Sequence, residues 1–419
     1  MFFKEFELPE EPKIPTLTVN VTDFNPDGNR ITEALRAAIE CVTSQGGGRV
    51  VIPRGEWICG AIHLRSKLEL HLDKGARVVF DPTPEEYLPV VFGVYGGIRC
   101  YNYSPLIYGR ALTDVALTGE GELYGSGEHW WPWAKNLTAR EVLYHGKLPV
   151  EERVFGTPEY GLRPMFLQIL ESERVLIEGL RFVNSPCWTV NAVWSKQVIV
   201  RGVTVENPKE SPNTDGVNIE CCNRALVEDC TIVSGGDDMF CIKAGRNEDA
   251  WEVGIPCENV IIRRCRSLYP SRSGGVVIGS EMSAGVRNIL MEDCDFAENL
   301  NCIRIKSKDG RGGVVENIDY RNIRMGKGMR GINLSYRYSC EATDDAEFPG
   351  KYMPVLRNLS FDGITCGEVD EGISIDGIPD GVMENIHFEN IKMNAKVCLR
   401  ADSVYGLNMK NVSLRELKM

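Results

Sequence analysis

Three short segments concentrate groups able to move a proton or hold an anion: Asn213-Thr-Asp215-Gly, Gly236-Asp237-Asp238 and Arg304-Ile-Lys306. Carboxyls held close together cannot all ionise, so one keeps its proton to higher pH while its neighbours stay charged. Glycoside hydrolysis needs that division, one acid protonating the leaving oxygen while another carboxylate activates water or attacks the sugar. Asp215 and Asp237 are one coil apart if the chain is repetitive, which would stack their carboxylates about 5 Å apart on neighbouring strands. Two charges at that distance repel by roughly 3 kcal/mol at an effective dielectric near 20. Arg304 and Lys306 are two apart on a strand, hence on one face, and suit a sugar carboxylate. Lys243 and Asn213 are further candidates for contact with the sugar. Each acidic motif alone also reads as a turn in which Asp bonds its own backbone. A calcium site built from the same oxygens is a third reading, opposed by the interleaved Lys243 and Arg246. The expectation is chemistry by side chains, with no metal or cofactor.

The elements that must position these groups repeat. Glu-Arg-Val175-Leu-Ile-Glu-Gly-Leu, Lys-Gln-Val198-Ile-Val-Arg-Gly-Val, Asn-Arg-Ala225-Leu-Val-Glu-Asp-Cys, Glu-Asn-Val260-Ile-Ile-Arg-Arg-Cys and Arg-Asn-Ile289-Leu-Met-Glu-Asp-Cys share one pattern, which continues at Ile318, Leu359, Ile386 and Val412. A polar residue opens an alternating apolar run, then a small or charged break precedes a second short run. Intervals of about 23 to about 41 residues are those of a solenoid. Helical repeats would need apolar spacings of three and four, which β-branched runs do not supply, and the leucine ladder of leucine-rich repeats is absent. The fold expected is all-β, a single-stranded right-handed parallel β-helix over 1–419, with roughly 1–45 as an N-terminal extension and cap. Asn29–Cys41 has helical periodicity and supplies the cap.

Composition narrows the partners. A net charge of −12 argues against nucleic acid and anionic membranes, which need a clustered positive field. A polyanionic sugar remains compatible because cations gather between Lys243 and Arg311, among them Arg263 and Arg264, which strand alternation sends to opposite sides. The 15 cysteines are odd in number and several sit in apolar runs, so they read as reduced core thiols. With no secretory leader at Met1-Phe-Phe-Lys, the expected location is cytoplasmic.

The three motifs, in this order, resemble glycoside hydrolase family 28, the polygalacturonase family, over nearly the whole chain. The Asn-Thr-Asp-Gly, Gly-Asp-Asp and Arg-Ile-Lys signatures match 213–216, 236–238 and 304–306. Val21–Phe24 and the Gly46–Gly55 stretch are similar to the family's entry into its β-helix, and Glu128–Trp133 and Val276–Met282 to its bacterial exo-acting branch. The resemblance implies inversion, with Asp237 as general acid, Asp215 and Asp238 positioning water, and Tyr336 on the substrate side with Tyr338 close by. One position departs: Ser273 stands where polygalacturonases carry a histidine, which is similar to the rhamnogalacturonan-hydrolysing branch. The function expected is exo-acting hydrolysis of galacturonate-containing pectic oligosaccharides. Its alternatives are a rhamnogalacturonan-type hydrolase, a carbohydrate-binding β-helix without efficient catalysis, and a calcium-dependent lyase. Trp130, Trp131, Trp133, Trp188 and Trp194 read equally as sugar-stacking walls or as packing.

Overall fold

The computed structural model describes residues 1–339 and 352–417. The chain winds through three parallel sheets that together form a right-handed β-helix. In the first sheet Val175 stands on Val198, Val198 on Ala225, Ala225 on Val260 and Val260 on Ile289. The second sheet stacks Arg181–Val183, Thr204–Glu206, Thr231–Ser234 and Arg266–Ser267. The third stacks Val190–Val193, Val217–Glu220, Phe240–Lys243, Gly274–Gly279 and the later half of Asp295–Lys306. Alternation sends Val190, Val217, Phe240, Val276 and Ile303 into the buried interior. Like sits on like inside the stack: the rings of Tyr320, Phe361 and Phe388 lie 4.9 Å apart, the spacing of adjacent strands.

The polar residue that opens each repeat sits in the left-handed region, with φ near +57° at Asn259, Asn288, Asn317, Asn358 and Asn385. Asparagine tolerates that conformation better than other residues with a side chain. Its amide then bonds the coil below: Asn288 donates to Asn259 at 2.6 Å, Asn358 to Asn317 at 3.0 Å and Asn385 to Asn358 at 2.7 Å. The break after each apolar run is a second left-handed corner, occupied by Gly179, Gly202, Asp229, Arg264, Asp293 and Asn322. This corner corrects one expectation. Arg264 is left-handed, so alternation fails there and both Arg263 and Arg264 reach Glu228, at 2.8 and 2.7 Å.

The N-terminal end is closed by helix α1, Thr32–Ser44, which buries Ala34, Leu35, Ala38, Ile39 and Val42 against the core. Ahead of it, residues 1–15 run along the outside of the first sheet. The Phe2 amide donates to Asp319, the Glu10 amide to Gln197 and the Lys13 amide to Asp114, while Phe3 and Phe6 cover Leu226, Ile261 and Leu290. The segment thus ties together coils far apart in sequence.

A separate, fourth sheet of short strands stands beside the third sheet. Val91–Tyr95 pairs antiparallel with Ile98–Asn102, which pairs with Val154–Thr157, and helix α2, Leu137–His145, packs on it through Ala139 and Leu143. Gln168, on an outward position of the third sheet, bonds both the amide and the carbonyl of Val94, at 3.2 and 2.8 Å. Asp249 anchors the far edge, accepting from Arg99 and Arg153. This wall covers outward faces that would otherwise meet solvent, which explains why Asn191 and Asn218 are buried.

The asparagine ladder is testable. Asn358→Ala loses two amide bonds and places a Cβ residue at positive φ, while Asn358→Gly loses only the bonds. Chemical denaturation should show both variants destabilised, with alanine worse than glycine by about 1 kcal/mol. Equal losses would mean that the left-handed corner stores no strain.

Candidate active site

The two acidic motifs sit at the entries to neighbouring strands of the third sheet, and Arg304 and Lys306 lie at the end of a later strand of the same sheet, opposite Val277 and Gly279. Two constraints hold the turns there. A Cβ at Gly236 would lie 1.8 Å from the Ser211 carbonyl oxygen, so only glycine lets the two turns approach. Arg163, 1% exposed, donates to the carbonyls of Pro186 and Pro212 and to Asn213 Oδ1, fixing the left-handed turn at Asn213. Arg163 lies outside the three motifs, and one sequence carries no signal that would have found it.

Stacking corrects the expected pairing of acids. Val217 faces Phe240 across the ladder and the Gly216 amide donates to the Asp238 carbonyl, so Asp215 stands on Asp238 and not on Asp237. Oxygens of Asp215 and Asp238 and the Cys241 sulfur lie within 4.8 Å of one another. Asp237 is displaced toward solvent, half-buried, with its Oδ1 accepting from the Asp238 amide at 2.8 Å and Asn213 Nδ2 at 3.4 Å from its Oδ2.

Each carboxyl has a different electrostatic setting. Asp238, 1% exposed, accepts from Lys306 Nζ at 2.7 Å, from the Gly274 amide at 2.9 Å and from Ser273 Oγ. Burial opposes its charge, but Lys306, Lys243 and Arg304 outweigh burial and hold its carboxyl well below the usual carboxylate range. Asp237 is moved the other way, by burial and by the charge of Asp238. Burial pushes Asp215 up to about 8 against the pull of Lys243, 3.3 Å away. The site therefore sets a carboxylate favoured as an anion beside carboxyls whose proton affinity is raised, the pairing that acid/base glycoside hydrolysis uses.

Of the expected substrate contacts, Lys306 and Lys243 are engaged with protein carboxylates. Lys243 is buried between Asp215 and Glu281, at 3.3 and 3.0 Å, under the Trp188 ring at 4.4 Å. Arg304 lies 5.5 Å from the Tyr338 ring, half-buried, with a buried Nε that has no hydrogen-bond partner among the described residues. Ser273 reaches Asp238, not open space. Tyr336 is not brought to the site: it is 3% exposed and donates to the Val382 carbonyl at 2.7 Å. The strand ends at Ser335, so alternation stops there: Tyr336 turns into the core, and Tyr338, two residues on, faces Arg304 and Lys306.

Sequence reading missed two more acids. Lys243 and surrounding cations bring the Glu281 carboxyl down to about 2 against burial. Burial pushes Glu220, one strand from Lys243 in register, up to about 8. Alternation along Val217–Glu220 already placed Glu220 on the outward face, but nothing marked that face as covered. Trp130 and Trp133 resolve to packing, edge-to-face with each other and, for Trp133, with Tyr103, whereas Trp188 joins the site over Lys243. Asp215, Asp238 and Cys241 have the spacing of a cation site, yet ammonium groups already lie on both carboxylates, so the donor set does not fit one.

A family model described as glycosyl hydrolases family 28 matches residues 157–398, and the chain belongs to that family. It is a polygalacturonase-like glycoside hydrolase. It is 29% identical over 389 residues to a probable polygalacturonase of Vitis vinifera, covering 90% of this chain and 74% of that one. The crystal structure of a hyperthermoactive exopolygalacturonase from Thermotoga maritima superposes with a TM-score of 0.86 at 33% identity, covering 97% of this chain and 94% of that one. The Yersinia enterocolitica family 28 exopolygalacturonase shares the fold, with a TM-score of 0.80 at 19% identity, over 97% of this chain and 76% of that one.

The electrostatic reading predicts a pH-dependent cost for Lys306→Met. A carboxyl held below its unfolded value stabilises the fold above about pH 4, and that stability is lost as pH falls through the depressed value. Removing Lys306 leaves a buried unpaired carboxylate, a loss of about 3 to 5 kcal/mol at neutral pH. Asp238 then takes up a proton more readily, so the deficit should shrink on acidification toward about pH 5. Denaturation midpoints of parent and variant at both pH values check this; a deficit independent of pH would contradict it.

Proposed function

We propose that this protein is an exo-acting, inverting hydrolase of α-linked galacturonate oligosaccharides, in which Asp237 is the general acid and Asp215 and Asp238 position the attacking water. The observation that carries the reading is the pair of sequence neighbours with opposite proton affinities: Asp238, charged on Lys306, and Asp237, raised and open to the cleft. Asp237 protonates the glycosidic oxygen as the bond breaks. Water held on the Asp215–Asp238 side attacks the anomeric carbon from the opposite face and gives up its proton to a carboxylate there. Arg304 and Tyr338 stand beside these acids, where a uronate and its ring would lie.

Support for exo action comes from the wall. The Tyr95–Ile98 hairpin tip reaches the site, with the Arg246 amide donating to the Gly97 carbonyl at 3.0 Å. Cβ atoms at Gly96 and Gly97 would meet the Tyr144 hydroxyl at 2.3 Å and Glu281 Cγ at 3.0 Å. A chain crossing the acids in that direction would meet protein, so the cleft suits a chain end. Ser273 supports a second reading, a rhamnogalacturonan-type substrate, because a hydroxyl bonded to Asp238 replaces an imidazole that would carry charge. All fourteen described cysteines are free thiols, which supports action on imported oligosaccharides in a reducing compartment.

Asp237→Asn keeps shape but cannot donate a proton, so turnover of oligogalacturonates should fall by about 10²-fold or more. A substrate with an activated leaving group should recover much of that loss and should not rescue Asp215→Asn or Asp238→Asn. Proton NMR of fresh product should show the inverted anomer and one sugar released at a time. Retained product, or parental activity in all three variants, would defeat the assignment; release of unsaturated products would make the reaction an elimination.

A further inference from the structure

Between the wall and Asn213 lies a cavity of about 70 Å³, lined among others by Arg140, Tyr144, Trp188, Asn213, Glu281 and Tyr338. Asn213 connects it to Asp237, so a sugar on the catalytic acid extends toward Arg140. Arg140 comes from α2, in the wall and outside the β-helix repeats. Its Nε is buried without a hydrogen-bond partner among the described residues, and its Nη1 makes one long contact, 3.5 Å to the Ala134 carbonyl. A buried guanidinium donor left unpaired is costly unless a ligand supplies the acceptor. The planar fork of arginine matches a carboxylate in particular.

The rest of the lining favours an anion at that point. Glu281 is the carboxylate there, and its charge is matched by Lys243 at 3.0 Å. The Arg246 guanidinium lies 4.1 Å from the Tyr144 ring and Arg140 6.0 Å from the same ring, so two cations flank Tyr144. The volume admits a carboxylate and the ring atoms next to it, with the remainder of the sugar in the cleft.

We infer that Arg140 is a specificity residue that receives the carboxylate of the chain-terminal uronate, so that the inserted wall selects acidic over neutral chain ends. This rests on the galacturonate reading given above, and its test is separable from that reading. Calorimetric binding of D-galacturonate and D-galactose to the full chain is the first arm. The parent should prefer galacturonate by about 10-fold or more, Arg140→Gln should lose that preference, and Arg140→Lys should regain part of it. The second arm is turnover of oligogalacturonates with either an intact or a reduced terminal carboxylate. Arg140→Gln should raise KM about 10-fold on the intact substrate with kcat little changed, and should leave the reduced substrate unaffected. No preference in the parent, the same preference in parent and Arg140→Gln, or equal losses on both substrates would overturn the inference. If the parent turns over no oligogalacturonate, the proposed function fails and the binding arm alone decides the role of Arg140. Unfolding curves of Arg140→Lys and Arg140→Gln that overlay the parent's separate a lost contact from a lost fold.

Discussion

The ammonium of Lys306 lies 2.7 Å from a carboxylate oxygen of Asp238, and both side chains are buried. In water that contact would be nearly worthless; here it offsets burial and favours the charged form of Asp238. With Asp238 fixed as an anion, its charge and the shared burial raise Asp237 and Asp215. Lys243, held by Glu281, keeps Asp215 from drifting further. The geometry needed for this is supplied by the stack: Asp215 and Asp238 are brought together by register, and Lys306, which stands in the column of Glu220 and Lys243, reaches back along the sheet to Asp238 from a later coil. A one-residue slip in the ladders that carry Lys243 and Lys306 would turn both of these side chains inward.

The wall has two consequences. It covers the outward columns, converting what would be solvent-screened charges into a low-dielectric network, and it closes one end of the cleft. Its own attachments are polar and local: Gln168 on Val94, Asp249 on Arg99 and Arg153, and the glycine-tipped hairpin seated against Arg246 and Glu281. Electrostatics and access to the site therefore depend on one inserted element.

Much of the β-helix was legible in the sequence because each repeat announces both of its corners. Asn259, Asn288 and their counterparts mark the first corner through a conformation that asparagine tolerates, and Gly202 or Asp229 marks the second. The corners also set the limit, since simple alternation separated Arg263 from Arg264 where the left-handed turn brings both to Glu228. The motif acids were found by type and spacing, but counting coils paired Asp215 with Asp237, a difference of one residue that only the ladder register resolves. Tyr336 and Tyr338 share parity and would lie on one face of a strand, but the strand ends at Ser335, which leaves Tyr336 in the core and Tyr338 at the site. Arg163, Glu220 and Arg140 were out of reach for a different reason. Their significance comes from burial by segments distant in sequence, and no local pattern encodes that.

The most direct test of the account is where the protons are. Neutron diffraction from deuterium-exchanged crystals grown near neutral pH should show Asp238 without a deuteron, Lys306 as a full ammonium directed at it, and a deuteron on the Asp237 carboxyl. A deuterated Asp238 beside a charged Asp237 would contradict the division of roles from which the proposed chemistry is built.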